Sequence, residues 1–306
     1  MSNFTDFIGG AGGGSEINDQ KFINSTASLI TTESGEKWLQ SGTLSTDTTT
    51  YPDATTSFSS ATYSNTSYNI TGQGSTPAGM ANDGAGNFWI CFRGNSYIRK
   101  YNSSFVYQNV QINLGAGQDC EGMFYVASSA NASDGGVAVL YVVLTNSGAV
   151  KRYNASTGAV MSGYITSTST LKGVTVDSDN IVWTIASNGW TEQWKASDNS
   201  SAGSAFGSLG RGDLFEKNGF LWLVSELHVA HKYSKQGAAL GASFSLNPTS
   251  VGGTTFSGIT LTDTHVYYTN SQLPAATGVL KFDNVFSLGL ASSTSEAGSP
   301  LYTRIK

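Results

Sequence analysis

The sequence is short of charge and of cysteine, and it has no long apolar run. Charged residues make up 12% of the 306, against about 25% in an average soluble domain. The balance is acidic, −5, with an isoelectric point near 5.1. Phosphate contacts need clustered lysine and arginine, and none is present, which argues against nucleic acid as a partner. No run of about 20 apolar residues occurs, so neither a transmembrane helix nor membrane insertion is expected. The first residues lack a basic region followed by an apolar core, so no secretory leader is expected. The two cysteines, Cys91 and Cys120, are read as small buried residues in preference to a disulfide, which stays open. There is no Gly-x-Ser-x-Gly elbow for a nucleophilic serine. The N-terminal glycine run lacks the strand and helix that a phosphate loop or dinucleotide site requires.

Glycine, serine, threonine and asparagine fill the space that charge leaves, and among them runs a repeat. Its clearest copy is Gly79-Met80-Ala81-Asn82-Asp83-Gly84-Ala85-Gly86-Asn87-Phe88-Trp89-Ile90, followed by Tyr97-Ile98-Arg99-Lys100-Tyr101. Short runs of strand formers bounded by Asn, Asp and Gly predict an antiparallel meander. Copies follow from Gly122, Gly173, Gly212 and Gly258, about 40–50 residues apart, the length of a four-stranded propeller blade. The second strand of each copy (Phe88–Phe92, 139–143, 181–185, 220–224, 265–269) is apolar at nearly every position, as for a strand buried on both faces. The third ends in a polar or basic residue and an aromatic: Lys100-Tyr101, Arg152-Tyr153, Gln193-Trp194, Lys232-Tyr233, Lys281-Phe282. Such an end predicts the aromatic packed inward and the charge meeting water.

The reading is an all-β, five-bladed β-propeller over residues 67–306, preferred to a β-sandwich or a parallel β-helix. Six blades are the alternative if the region before Gly79 supplies another. Ser67-Tyr68-Asn69-Ile70-Thr71 reads as a lone strand that completes the last blade and closes the ring, leaving no free edge.

Propellers use the channel mouths and the loops of one face, so candidate residues are those near the strand ends. Asp119, Glu121, Asp177, Asp213 and Asp263 lie near the first strands. A calcium-type lactonase site would need such carboxylates to converge. Asp177 and Asp263 end their strands, whereas Asp119 and Glu121 precede one, so the two groups fall at opposite ends. Glu226 with His228 and His231, and Asp263 with His265, are further candidates; His228 and His231 are three apart and would point to opposite faces of a strand, against a shared metal. No catalytic, metal or cofactor site is assigned. Arg211-Gly212-Asp213 spells an integrin-type tripeptide at a point where the repeat expects glycine anyway, and is read as coincidence. Trp190 and Trp194 are candidates to stack on sugar faces.

Ahead of the repeats, Phe4, Phe7 and Ile8 stand at helical spacing before Gly9, Gly10 and further glycines. Residues 1–14 read as an apolar docking peptide on a flexible tether, ordered when a partner buries it. Residues 15–66 read as an extended arm with strands at 28–32 and 37–41, too poor in apolar residues for a core of its own. It would lie along the propeller or another subunit.

Lys37-Trp38-Leu39-Gln40-Ser41-Gly42, Asp47-Thr48-Thr49-Thr50-Tyr51-Pro52-Asp53-Ala54 and Thr76-Pro77-Ala78-Gly79-Met80-Ala81, leading into Gly86-Asn87-Phe88-Trp89, resemble bacteriophage virion proteins of the tail and tail-fibre type. In these an N-terminal arm precedes an NHL-like propeller. Phe4-Thr5-Asp6-Phe7-Ile8-Gly9-Gly10 also resembles the glycine-rich starts of phage tail and fibre components. The resemblance covers about the first hundred residues. It implies a non-enzymatic structural protein located in the virion and assembled in the host cytoplasm. Its partners would be other tail or capsid proteins and a host-surface glycan, and it would stand in several copies or as a homo-oligomer on the particle. A free-standing glycan-binding propeller and a metal-dependent propeller hydrolase are the alternatives.

Overall fold

A computed structural model describes residues 20–22, 29–31, 37–43, 50–52, 62–70, 76–128, 135–167, 169–210, 212–217, 219–225, 228–246, 256–262, 265–270, 278–283, 290–292 and 300–304. The described residues are all-β and form a five-bladed propeller. None of their helices is long and apolar enough to cross a membrane.

Each blade is a four-stranded antiparallel meander. Blade 1 runs Pro77–Asn82, Phe88–Phe92, Tyr97–Tyr101 and Tyr107–Asn113 from the inner strand outward. Blade 2 runs Cys120–Val126, Val139–Leu144, Ala149–Asn154 and Val160–Thr166. Blade 3 runs Leu171–Val176, Ile181–Ala186, Trp190–Lys195 and the short Phe206–Gly207. Blade 4 runs Leu214–Lys217, Phe220–Val224, Val229–Tyr233 and Ala239–Ser245. Blade 5 takes Phe256–Leu261, His265–Asn270 and Val279–Asp283, and its outer strand comes from before blade 1. That strand, Thr62–Tyr68, pairs antiparallel with Val279–Asp283, so the ring closes as expected, with the closing strand placed a few residues earlier than 67–71.

The second strands are apolar throughout because they serve two cores at once. In blade 1, Phe88, Ile90 and Phe92 pack towards Tyr267 and Val279 of blade 5. Trp89 and Cys91 pack towards Met123, Leu140 and Val142 of blade 2. Similar clusters join blades 2 and 3, 3 and 4, and 4 and 5. Alternation along a strand sends successive side chains to opposite faces, and here both faces are interior. At about 25 cal/mol per Å², these five cores are the main stabilisation of the ring.

Three expectations change. Cys91 and Cys120 form a disulfide, with their Cα atoms 6.2 Å apart. Cys91 faces blade 2 from the second strand of blade 1, and Cys120 opens the inner strand of blade 2, so the inter-blade core brings them together. The basic residues of the third strands do not all meet water: Arg152 and Lys232 are buried. Lys232 pairs across the strands with Trp222, and its ammonium stands 3.9 Å from the Phe220 ring centre and 5.8 Å from that of Trp222. Aromatic faces stabilise a desolvated cation there. Lastly, the repeat of blade 4 is aligned on Asp213 and not on Gly212. Leu214 pairs with Leu223 as Val174 pairs with Thr184, which makes Asp213 the counterpart of Gly173.

The chain divides into two compact units, residues 52–290 and residues 1–51 with 291–306. In the smaller unit, Leu29–Thr31 pairs with Lys37–Thr43, and Pro300–Arg304 lies between Lys37–Thr43 and Gln20–Phe22. The end of the chain, expected within the propeller, thus completes a four-stranded sheet with the arm. A segment with few apolar residues reaches a stable sheet size by recruiting a distant strand.

Candidate functional site

The axis of the propeller is where residues from all blades converge, and the inner strands set its character. Gly79, Gly122, Gly173 and Gly258 stand in a ring with Asp213 in the remaining place. A Cβ on Gly79 would lie 2.6 Å from the Glu121 carbonyl oxygen, and one on Gly122 would lie 2.6 Å from that of Lys172 and 2.7 Å from Gly173 Cα. Backbones touch at this level, and side chains are excluded. Asp213 enters the ring because Gly173 leaves it room: a Cβ there would collide with Asp213 Oδ1.

The Asp213 carboxylate is buried and ties three blades. It accepts N–H bonds from Leu214 (2.9 Å), from Ile259 of blade 5 (3.1 Å) and from Val174 of blade 3. Burial pushes its carboxyl well above the ordinary range against the pull of those three donors. The tripeptide Arg211-Gly212-Asp213 therefore ends in a residue committed to the axis; Arg211 lies outside the described residues.

On the side where the inner strands begin, Glu121, Asp119 and His228 are each engaged by neighbours. Glu121 is gripped by Arg93 and by Lys172, the latter at 3.1 Å. Asp119 accepts the Gly94 N–H at 2.9 Å. His228, buried and at positive φ, meets the Tyr268 hydroxyl through Nδ1 at 2.5 Å. His231 sits on the third strand of blade 4, where burial lowers its pKa. No group of three His, Cys, Asp or Glu that could hold a metal occurs among the described residues.

At the opposite end, carboxylates clamp turns. Asp83 Oδ1 accepts N–H bonds from Ala85 and Asn87, both 2.9 Å, and the carboxylate pairs with Lys100 at 3.2 Å. Asp177 accepts from Asp179 (2.9 Å), Ile181 (3.0 Å) and the Trp183 indole N–H (2.9 Å), with Lys235 at 2.8 Å. For both, burial opposes ionisation but is outweighed by hydrogen bonds, from Asn87 and Ala85 at Asp83 and from Lys235, Trp183 and Ile181 at Asp177. Both pKa values are therefore lowered. These are Asx-type turn locks between first and second strands, and they take Asp177 out of any converging metal set. Asp263 and Glu226 lie outside the described residues.

At this end, beside the Asp83 turn, the axis opens into a cavity of about 660 Å³. Inner-strand ends of blades 1, 2, 4 and 5 line it. Phe124 and Tyr125 are half-buried in its wall, with Asn82, Thr260 and Glu216 as polar neighbours. Thr260 Oγ1 accepts the Asn82 N–H at 3.0 Å, sealing blade 5 to blade 1. Glu216 Oε1 accepts the Gly219 N–H at 2.6 Å; Oε2 has no hydrogen-bond partner among the described residues. Burial and the nearby Asp83 charge both push the Tyr125 hydroxyl up, keeping it protonated and able to donate. Composition could not single these residues out, since only ring closure brings positions 82, 125, 216 and 260 together.

Trp190 is exposed at the start of its strand. Trp194, near the other end, packs partly into the core between blades 2 and 3 and donates its indole N–H to Thr184 Oγ1 at 3.1 Å. The fold does not join them into one stacking platform. Phe4, Phe7, Ile8, Gly9 and Gly10 lie outside the described residues.

No protein-family model matches the chain, and no curated protein matches it. Solved structures do. A Myxococcus xanthus glutaminyl cyclase is similar at a TM-score of 0.51 and 14% identity over 71% of this chain and 94% of that one. A streptogramin B lyase gives 0.43 and 13% over 83% and 78%. Raptor from Chaetomium thermophilum gives 0.41 and 11% over 67% of this chain, which spans only 20% of that protein. At 14% identity the likeness to the cyclase is one of fold alone.

Proposed function

We propose that the chain is a non-enzymatic binding propeller of a bacteriophage virion, attached through its N-terminal segment and displayed towards a host-surface glycan. The observation that supports the binding-scaffold reading is that four carboxylates, Asp213, Glu121, Asp83 and Asp177, are engaged by the fold, while Glu216 at the axial cavity keeps one oxygen open to a ligand. Asp213 holds three backbone N–H groups, Glu121 holds two cations, and Asp83 and Asp177 lock turns. The virion part is supported by the resemblance of residues 4–10, 37–54 and 76–89 to phage tail and fibre proteins. Residues 1–14 are the docking peptide in this reading, buried by tail or capsid proteins, with several copies on each particle.

The test is deletion of residues 1–14 in the phage that encodes the chain, followed by mass spectrometry of purified particles. The expected result is loss of the protein from particles while the truncated propeller keeps its melting temperature. Normal incorporation of the truncated protein would overturn the docking assignment. Absence of the full-length protein from particles would overturn the virion reading.

A further inference from the structure

We propose that the cavity where the inner strands end is a binding site for one or two neutral sugar residues. The inference rests on the host-glycan reading above and gives it a place on the molecule. A volume of about 660 Å³ lies within the range of small-ligand sites and admits a monosaccharide or a disaccharide. Its wall combines the two surfaces a pyranose presents. Tyr125, half-buried beside the core between blades 1 and 2, offers aromatic area to the C–H face, while its strand neighbour Phe124 packs against the core between blades 2 and 3. Glu216 Oε2, unpartnered among the described residues, accepts from ring hydroxyls. The Thr260 hydroxyl, whose oxygen accepts the Asn82 N–H, keeps its own proton to donate, as does Tyr125.

The charge at the mouth selects the class. Asp83 and Glu216 line the cavity with Lys217, and Asp83 is already paired with Lys100, so an acidic sugar or a phosphate finds no net positive charge to offset its desolvation. A neutral sugar meets no such penalty, because hydroxyls donate to carboxylates without a charge of their own. The site is also prebuilt. Asp83 locks one rim turn through Asn87 and Ala85, and Glu216 Oε1 locks another through Gly219, so little ordering cost falls on binding.

The test is saturation-transfer NMR on the full chain with glucose, galactose, mannose, N-acetylglucosamine and their common disaccharides. Titrations follow with Tyr125→Phe, Glu216→Gln and Trp190→Ala. Tyr125→Phe and Glu216→Gln each remove one hydrogen-bonding function while preserving shape, and each should weaken the bound sugar about tenfold. Trp190→Ala should leave it unchanged. Absence of transfer to every sugar in the panel, or affinity unchanged in both cavity variants, overturns the assignment. Adsorption to host cells separates this from the broader reading. If wild type adsorbs and Tyr125→Phe with Glu216→Gln adsorbs equally, the cavity proposal fails and the display reading stands. If sugar binds in the cavity but the protein is absent from particles, the display reading fails and the cavity stands.

Discussion

The two ends of the propeller axis are built from the same five inner strands yet obey opposite constraints. At the ring of Gly79, Gly122, Gly173, Asp213 and Gly258, strands meet backbone to backbone and the only side chain present is held by three main-chain donors. A few residues on, the inner strands of blades 1, 2, 4 and 5 diverge around open space, and their side chains are mostly half-exposed and varied. Residue choice at the ring is dictated by steric exclusion; at the mouth it is free to be dictated by a ligand.

Substitutions that strike the two ends differently would break or sharpen this contrast. Gly122→Ala places a methyl group against the Lys172 carbonyl and Gly173, both backbone and unable to yield, and should cost about 4 kcal/mol in chemical denaturation. A cost below about 1 kcal/mol would show that the ring is loose. Replacing Cys91 and Cys120 together by alanine removes the covalent tie between blades 1 and 2 and should cost about 3 kcal/mol, read as a lower denaturation midpoint. Asp213→Ala strands three buried N–H groups and should cost about 2 kcal/mol. Glu216→Gln and Trp190→Ala, at the mouth and on the exposed rim, should stay within about 0.5 kcal/mol.

The two ends should also respond to pH with opposite signs. Asp213 has a folded-state pKa raised above its unfolded value. Its contribution is therefore full below the ordinary carboxylate pKa and is lost as pH rises through the raised value. Asp83 and Asp177 have lowered values, so their contribution is present above the ordinary carboxylate pKa and lost as pH falls through the lowered ones. Melting temperatures followed from acid to neutral pH should show an acid limb that Asp177→Asn flattens. A decline on the rising side should disappear in Asp213→Ala. If Asp213→Ala leaves the rising side untouched, its carboxyl is ionised in the folded ring.

Much of this architecture was legible before any coordinates. Glycine in the first strand of four blades, second strands apolar at nearly every position and aromatic ends of third strands each report a local environment, and local environments leave marks on single residues. The closing strand was legible for the same reason: one strand-forming run stood alone before the first complete copy. The disulfide, the burial of Lys232 and the alignment of blade 4 were not. Each depends on which residue of a neighbouring strand stands opposite, and bulges in the inner strands shift that register by one without any sign in the pattern.

The repeat period, the alternation and the turn residues by themselves determined that the chain would build blades, because burying both faces of a strand demands a neighbour on each side. Which residues face one another across the axis was decided only by the tertiary structure. Closing five blades into a ring brings together positions more than a hundred residues apart, puts Asp213 where its sisters are glycine, and leaves room around Tyr125, Glu216 and Thr260. Contacts of that kind depend on the curvature of the whole ring, which no short stretch of sequence carries.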